Sequence, residues 1–281
     1  PGVSVLRLAS FAYRNIPETD DFATLRKEVD AFYEGYWKKK APTVKKLVID
    51  LLDNGGGDTP VGWYEIFLDK PFQEMGVEFK KLPELENSDI RRELFYRDAG
   101  KEIWFTLLME AGSYEKIKAG GFLPEVPQFC ATEDKSCEVG LHQPQAHGFK
   151  GEIRLLVNEW CISSCTGFVW QLKDKLGSRV KLVGMPDSGD SAYARLYLDL
   201  YLDASKPEGF RLEVTGRKGQ TKQQLPEGAI LRHQVAVTRS TDLRSHVMSA
   251  IPTRVDEWIP IRYREFDASW EAKVFKAALA K

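Results

Sequence analysis

The sequence predicts an α/β fold built on mainly parallel strands, with an inserted cap region. Three observations support this prediction. The chain begins with a strand, a long amphipathic helix and a second strand; the second strand ends in a glycine-rich turn; and a strand–turn–helix pattern returns near residue 152. Strands that alternate with helices in this way need crossover connections, which place the strands parallel in one sheet.

The first elements are defined by their hydrophobic patterns. VSVLRLASF predicts a strand, and DDFATLRKEVDAFYEGYW has apolar residues at helical spacing behind an aspartate that is suited to cap a helix. KKLVIDLL, residues 45–52, is a continuous apolar strand. It ends at DNGGGDT, where three consecutive glycines exclude a regular element.

Residues 69–150 differ from the segments around them. They contain several prolines, clusters of charge and only short helical patterns, such as IRRELFYRDAG and KEIWFTLLMEAGSYEKI. We therefore expect one domain over residues 1–281, with 69–150 as a cap inserted into it.

The α/β pattern resumes at GEIRLLVN and continues through the turn CISSC into the helix TGFVWQLKDKL, which ends at Gly177. The strand VKLVG follows, and RLYLDLYLD with GFRLEVTG predicts a hairpin. The final segment, DASWEAKVFKAALA, predicts an amphipathic helix with Trp270, Val274 and Ala278 on its apolar stripe.

The composition excludes several classes of protein. Lys and Arg total 40 and Asp and Glu total 41, so the basic excess typical of a nucleic-acid-binding protein is absent. No apolar run approaches the 18 residues of a membrane-spanning helix, and no signal peptide is evident. The chain opens with Pro1 and runs directly into a strand, so we expect an amino-terminal segment to precede it.

The four cysteines predict disulfides. Cys130, Cys137, Cys161 and Cys165 form two close pairs, which fits an oxidising compartment, and hence a secreted or periplasmic protein. Four cysteines allow three pairings, and the spacing alone does not choose among them. One alternative is four buried free thiols in a reduced cytosol. Another is a zinc site at CISSC whose further ligands come from Cys130, Cys137, His142 and His147.

Two turns follow buried strands, and in an open α/β sheet this edge binds ligands. In DNGGG the glycine N–H groups can approach a substrate oxygen closely, although a plain tight turn has the same pattern. In CISSC, Ser163 or Ser164 lies where a strand enters a helix, which suits either an exposed nucleophile or a simple helix cap.

Together these turns resemble the carboxy-terminal processing, or tail-specific, serine proteases, a family that includes the tricorn core. KKLVIDLLDNGGG is similar to the family's DLRxNxGG turn, and VNEWCISSCTGF followed by KLVGMPDSGDS is similar to its nucleophile segment and the VG strand after it. VDEWIPI resembles the family's last strand. The resemblance implies a ClpP/crotonase-like layered core, a single peptidase-like domain, a protein or peptide substrate, and neither a cofactor nor a metal.

The resemblance also implies roles for individual residues. Ser163 takes the position of the nucleophile, and Gly56, Gly57 and Ser164 take those of the oxyanion donors. Asp50 and Asn54 match the polar residues of the glycine turn. The cysteines that flank the serines resemble a variant of some secreted relatives, in which a bridge between Cys161 and Cys165 would stiffen the nucleophile turn.

The sequence departs from the family at the general base. The family's lysine position holds Asp190, and no histidine precedes the glycine turn. The base is left to the expected amino-terminal segment, to His142 or His147, or to Asp190. Two other functions stay open: a non-catalytic module of the same fold that binds peptides or apolar ligands, and a crotonase-like enzyme acting on acyl thioesters.

Overall fold

The computed structural model describes residues 2–11, 21–57, 60–95, 99–127, 140–189, 195–215, 225–242, 244, 246–248, 251–261 and 268–280. The strands are β1 (Val3–Arg7), β2 (Lys46–Asp50), β3 (Gly76–Phe79), β4 (Val126–Pro127), β5 (Glu152–Val157), β6 (Val180–Gly184), β7 (Arg195–Leu202), β8 (Phe210–Thr215), β9 (Ala229–Ala236), β10 (Thr238–Thr241) and β11 (Glu257–Trp258). The α-helices are α1 (Asp21–Phe32), α2 (Lys38–Lys40), α3 (Val61–Phe67), α4 (Ser88–Leu94), α5 (Ala99–Glu110), α6 (Ser164–Leu176) and α7 (Ala268–Leu279).

The described residues form two compact units. The first contains residues 1–74, 140–191 and 249–281, and the second contains 75–139 and 192–248. The insertion expected over 69–150 therefore overlaps the second unit, which also draws on a separate later segment of the chain. That later contribution has no local signature, because the two segments meet only through contacts that are distant in sequence.

The first unit is built on a five-stranded sheet in the order β1-β2-β5-β6-β11. Each neighbouring pair is parallel, including the short β11 from the predicted last strand. The predicted α/β class with mainly parallel strands is confirmed.

Both faces of this sheet are covered by helices, which explains why its central strands are continuous apolar runs. On one face, Leu47, Ile49 and Leu155 pack in a cluster with the aromatic residues of α3 and α6. On the other face, Val48 and Leu156 pack with α7. The alternation of side chains along a strand sends neighbouring residues to opposite layers. The buried Arg154 of β5 is a polar exception, and its guanidinium donates to the carbonyl oxygen of Ala277 in α7.

The helix α7 confirms the amphipathic pattern at the end of the sequence. Trp270, Val274 and Ala278 are all buried in the cluster that covers the second face of the sheet. The helix α6 ends as predicted at Gly177, whose φ of 56° lies in the left-handed region that glycine adopts without strain.

The second unit contains two antiparallel three-stranded sheets, in the orders β10-β3-β4 and β8-β7-β9, together with α4 and α5. The predicted hairpin is the β7–β8 pair, in which Leu200 lies opposite Leu212. The buried Asp199 of β7 pairs with Arg232 of β9, which neutralises its charge inside the sheet. No helix in the described part of the chain is long and apolar enough to cross a membrane.

Candidate active site

The glycine turn and the CISSC turn lie at the same edge of the parallel sheet. Their strands, β2 and β5, are direct neighbours, and Asp50 at the end of β2 pairs with Leu156 of β5. In a parallel sheet the carboxyl ends of neighbouring strands meet at one edge. The two predicted turns are therefore brought together, as the sequence led us to expect.

Ser163 occupies a sharp turn between β5 and α6. Its φ of 59° and ψ of −128° lie in a region that only glycine visits without strain. Its side chain is partly exposed and makes no hydrogen bond to any described residue. This is the geometry of a strained strand-to-helix turn that presents a hydroxyl at the top of a sheet.

Neither serine caps the helix, which removes the simplest alternative to a functional role. Ser163 stands at the N-cap position of α6 without a side-chain capping bond. The Ser164 hydroxyl instead donates to the carbonyl oxygen of Gly57 at 2.7 Å. The second serine thus links the CISSC turn to the glycine turn.

Gly56 packs directly against the serine turn. Its φ is 81°, and a Cβ added to it would lie 2.5 Å from the carbonyl oxygen of Ile162 and 2.9 Å from both Ser163 Cβ and Ser164 N. Only a glycine lets the two backbones approach this closely. The sequence therefore needs glycine here for contact between the turns, and not only for chain reversal.

The N–H groups of this region differ in whether they are already used. The N–H of Gly56 donates to Asn54 Oδ1 at 2.9 Å, and the Asn54 side chain in turn donates to the carbonyl oxygen of Leu8 at 2.7 Å. The N–H groups of Gly57 and Ser164 donate to no acceptor among the described residues. Ser164 also begins α6, where the helix dipole favours negative charge.

Sequence reasoning gave no role to Asp53 and Asn158, which bind each other between the two turns. The N–H of Asp53 donates to Asn158 Oδ1 at 3.1 Å, and Asn158 Nδ2 donates to Asp53 Oδ1 at 2.8 Å. A signal was present in the sequence, because Asn158 directly follows β5 and Asp53 is the first polar residue after the two leucines that follow β2.

Cys161 and Cys165 form a disulfide across the CISSC turn, with their Cα atoms 5.3 Å apart and both side chains fully buried. The pairing that the resemblance implied is present. Cys130 and Cys137 lie outside the described residues. Because the two described sulfurs are bonded to each other, they cannot serve as thiolate ligands, which excludes the zinc alternative that relied on them.

We expect removal of this disulfide, in the variant C161A/C165A, to lower the free energy of unfolding by about 2 kcal/mol, the value for a loop of this length in the chain-entropy treatment. Urea denaturation of the variant and the parent, without reductant, measures the difference. Because both sulfurs are buried, the parent should keep its midpoint after brief native-state exposure to a thiol. An unchanged free energy of unfolding in the variant would contradict a stiffening role.

A third turn, after β6, packs beside the CISSC turn, where Ser188 N–H donates to the carbonyl oxygen of Cys161 at 3.1 Å. It contains the buried Asp187, whose Oδ1 accepts the N–H groups of Gly189 and Thr253. Burial raises the pKa of Asp187, and its Oδ2 has no partner among the described residues. Asp190, the residue at the family's lysine position, lies outside the described residues.

The two histidines considered as the general base are engaged by groups other than Ser163. His147 is buried, its Nε2 bonds the carbonyl oxygen of Leu68 at 2.9 Å, and its Nδ1 accepts the N–H of Phe149 at 3.0 Å. Both ring nitrogens are thus engaged, and burial lowers the pKa of His147. His142 stacks on Phe72, and burial lowers its pKa as well.

The family of the chain follows from its match to a sequence profile. The family model for peptidase family S41 matches residues 2–224, which is well over half of the chain. The chain belongs to peptidase family S41. The resemblance read from the two turns is therefore confirmed at the level of the family. No curated protein sequence matches this S41 chain.

Solved structures show the same fold at low sequence identity. Mature CPAF is 14% identical to this S41 chain, with 98% of the chain and 50% of CPAF covered and a TM-score of 0.52. A serine-to-alanine mutant of CPAF gives 14% identity, 98% and 49% coverage, and a TM-score of 0.53. At this identity the likeness shows the fold alone. The S41 chain spans about half the length of these structures.

Proposed function

We propose that this chain carries the acylation site of a serine endopeptidase, with Ser163 as the nucleophile. The observation that carries the proposal is the strained turn at Ser163, which exposes an unbonded hydroxyl beside a glycine turn. A backbone conformation that costs about 1–3 kcal/mol is retained where the surrounding structure and the function require it. The S41 membership supports the same reaction.

The oxyanion of the tetrahedral intermediate is assigned to the N–H groups of Gly57 and Ser164. Both are unused among the described residues, and the bond between the Ser164 hydroxyl and the Gly57 carbonyl holds their two segments together. Gly56 has a different role in the site. Its N–H already donates to Asn54, so we propose that Gly56 acts by packing closely enough for the glycine turn to reach the serine.

The substrate is proposed to be a protein or peptide, bound extended so that its backbone amides pair with the glycine turn. The proposed location is secreted or periplasmic, because the buried disulfide at the serine turn requires an oxidising compartment to form. A preceding amino-terminal segment is a second proposed partner, since it would supply a general base and no described group hydrogen-bonds Ser163.

One observation favours a second candidate, a non-catalytic module that binds peptides. A serine hydroxyl needs a base to become nucleophilic, and no described group hydrogen-bonds Ser163. His147 has no ring nitrogen left for this task. The two candidates share the fold and the turns, and they differ in the reactivity of one oxygen atom.

Labelling with a fluorophosphonate, read by peptide mass spectrometry, tests the proposal. We expect Ser163 to be modified in the natural protein, because the probe reacts with an activated serine beside an oxyanion site. If the isolated 281-residue chain is also modified, the general base lies within these residues. Modification of the natural protein only would place it in a segment outside them. If Ser163 stays unmodified in both, the peptidase proposal is wrong and the binding module is favoured.

A further inference from the structure

The two turns of the proposed site are joined by a reciprocal pair of hydrogen bonds between Asp53 and Asn158. The backbone N–H of Asp53 meets the amide oxygen of Asn158, and the amide nitrogen of Asn158 meets the carboxylate of Asp53, at 3.1 Å and 2.8 Å. We call this pair the Asp53–Asn158 clamp. Two bonds between the same two residues fix both a distance and an orientation, which a single bond does not.

Asp53 needs such support because its backbone is held in the left-handed region, with a φ of 64°. Aspartate and asparagine enter this region more readily than other residues, but still at a cost. This conformation turns the chain after β2 towards Gly56, which packs against the serine turn. The clamp satisfies the N–H and the carboxylate of Asp53 in this conformation.

Asn158 is itself fixed to the segment that leads to the nucleophile. It directly follows β5 and is almost fully buried. Its Oδ1 also accepts the N–H of Trp160 at 3.3 Å, and its carbonyl oxygen accepts the N–H of Cys161 at 3.0 Å. One amide side chain therefore holds the start of the serine turn on one side and the glycine turn on the other.

The clamp lies close in sequence to the nucleophile and to the oxyanion donors of the proposed reaction. Asp53 precedes Gly57 by one short turn, and Asn158 precedes Ser163 by another. A shift of one turn against the other changes the separation between the oxyanion N–H groups and the serine oxygen. Misplacement by about 1 Å is enough to cost about a hundredfold in rate.

We propose that Asn158 is a positioning residue for acylation, which acts through Asp53 to set the glycine turn against Ser163. This inference rests on the proposed function, since it assigns a purpose to the separation of those groups. The hydrogen bonds of Asn158 go to Asp53, Trp160 and Cys161, and among the described residues none goes to Ser163. It acts on the rate of the chemical step and has little effect on substrate affinity.

The test is a cycle of isosteric variants at the clamp. N158D keeps the oxygen that accepts the Asp53 N–H, but it places a second carboxylate against that of Asp53, and like charges repel. D53N replaces the other carboxylate with an amide and keeps a residue type that tolerates the left-handed region. The double variant D53N/N158D restores one carboxylate and one amide in reversed positions, and so can rebuild both bonds.

We expect N158D to lower kcat, and the rate of fluorophosphonate labelling at Ser163, about a hundredfold with KM nearly unchanged. D53N alone should lower kcat and the labelling rate less than N158D does. The double variant should recover at least about tenfold of the N158D loss, because residues in one hydrogen-bonded pair are not additive. N87D is the matched control, since Asn87 caps α4 only as an acceptor and an aspartate serves equally well there.

The outcomes separate this inference from the proposed function. A purely structural role would lower the melting temperature but leave the labelling rate of the folded protein unchanged. If the wild type is labelled and N158D is labelled at the same rate, or the double variant shows no recovery, the positioning role is overturned and the peptidase proposal stands. If the wild type itself is not labelled at Ser163, both proposals are overturned.

Discussion

Replacement of Ser163 by alanine is expected to reduce peptide hydrolysis to the background rate. Loss of the nucleophile in a serine peptidase costs about 10⁶-fold in kcat, because no other group can form the acyl-enzyme. Hydrolysis of a fluorogenic casein by the natural protein, with and without S163A, measures the effect. S178A is the matched control, since Ser178 is exposed and its hydroxyl makes no hydrogen bond among the described residues.

The backbone strain at Ser163 adds a second expectation that does not depend on activity. S163G should be as inactive as S163A, but its free energy of unfolding should be higher by about 1 kcal/mol, because glycine accepts a φ of 59° without strain. Urea denaturation compares the two variants. Retained hydrolysis in S163A would show that another residue is the nucleophile. Equal free energies of unfolding of the two variants would contradict backbone strain at this position.

The parallel sheet and the two site turns could be predicted from the sequence because their signals are local. The apolar runs of β2 and β5 each end in a residue pattern that excludes further strand, and the sheet then brings the ends of neighbouring strands together. The order of the two motifs along the chain also indicated the protein family. The sequence located Ser163 and Gly56 in these two turns, and the fold brings the two residues into close contact.

The finer contacts of the site could not be predicted, because they depend on side chains that are far apart in sequence. Asp53 and Asn158 are 105 residues apart, and the Ser164–Gly57 bond spans 107 residues. Within the glycine turn, nothing in DNGGG shows that Asn54 uses the N–H of Gly56 and leaves that of Gly57. The same limit applies to the second unit, whose two segments, 75–139 and 192–248, show no common pattern.

Replacement of Gly56 by alanine is expected to destabilise the fold and inactivate the site together. The added Cβ would lie 2.5 Å from the carbonyl oxygen of Ile162, closer than real Cβ contacts allow, and the φ of 81° is strained for any residue with a Cβ. The obstacle is backbone on the opposite turn, so it cannot be relieved by a change of rotamer. Overpacking and backbone strain together should lower the free energy of unfolding by about 3 kcal/mol.

The neighbouring Gly55 provides the control, because a Cβ there would meet nothing within 4 Å and its φ is not positive. G55A should leave stability unchanged or raise it by about 0.5 kcal/mol through a less flexible unfolded chain. Urea denaturation of both variants, with labelling of Ser163 in the folded protein, makes the comparison.

If the turns must touch for the oxyanion N–H groups to face the serine, G56A will lose labelling even at temperatures where it is fully folded. If G56A folds and is labelled at the wild-type rate, the close approach of the two turns is not needed for the reaction, and the assignment of Gly56 to packing within the site is wrong.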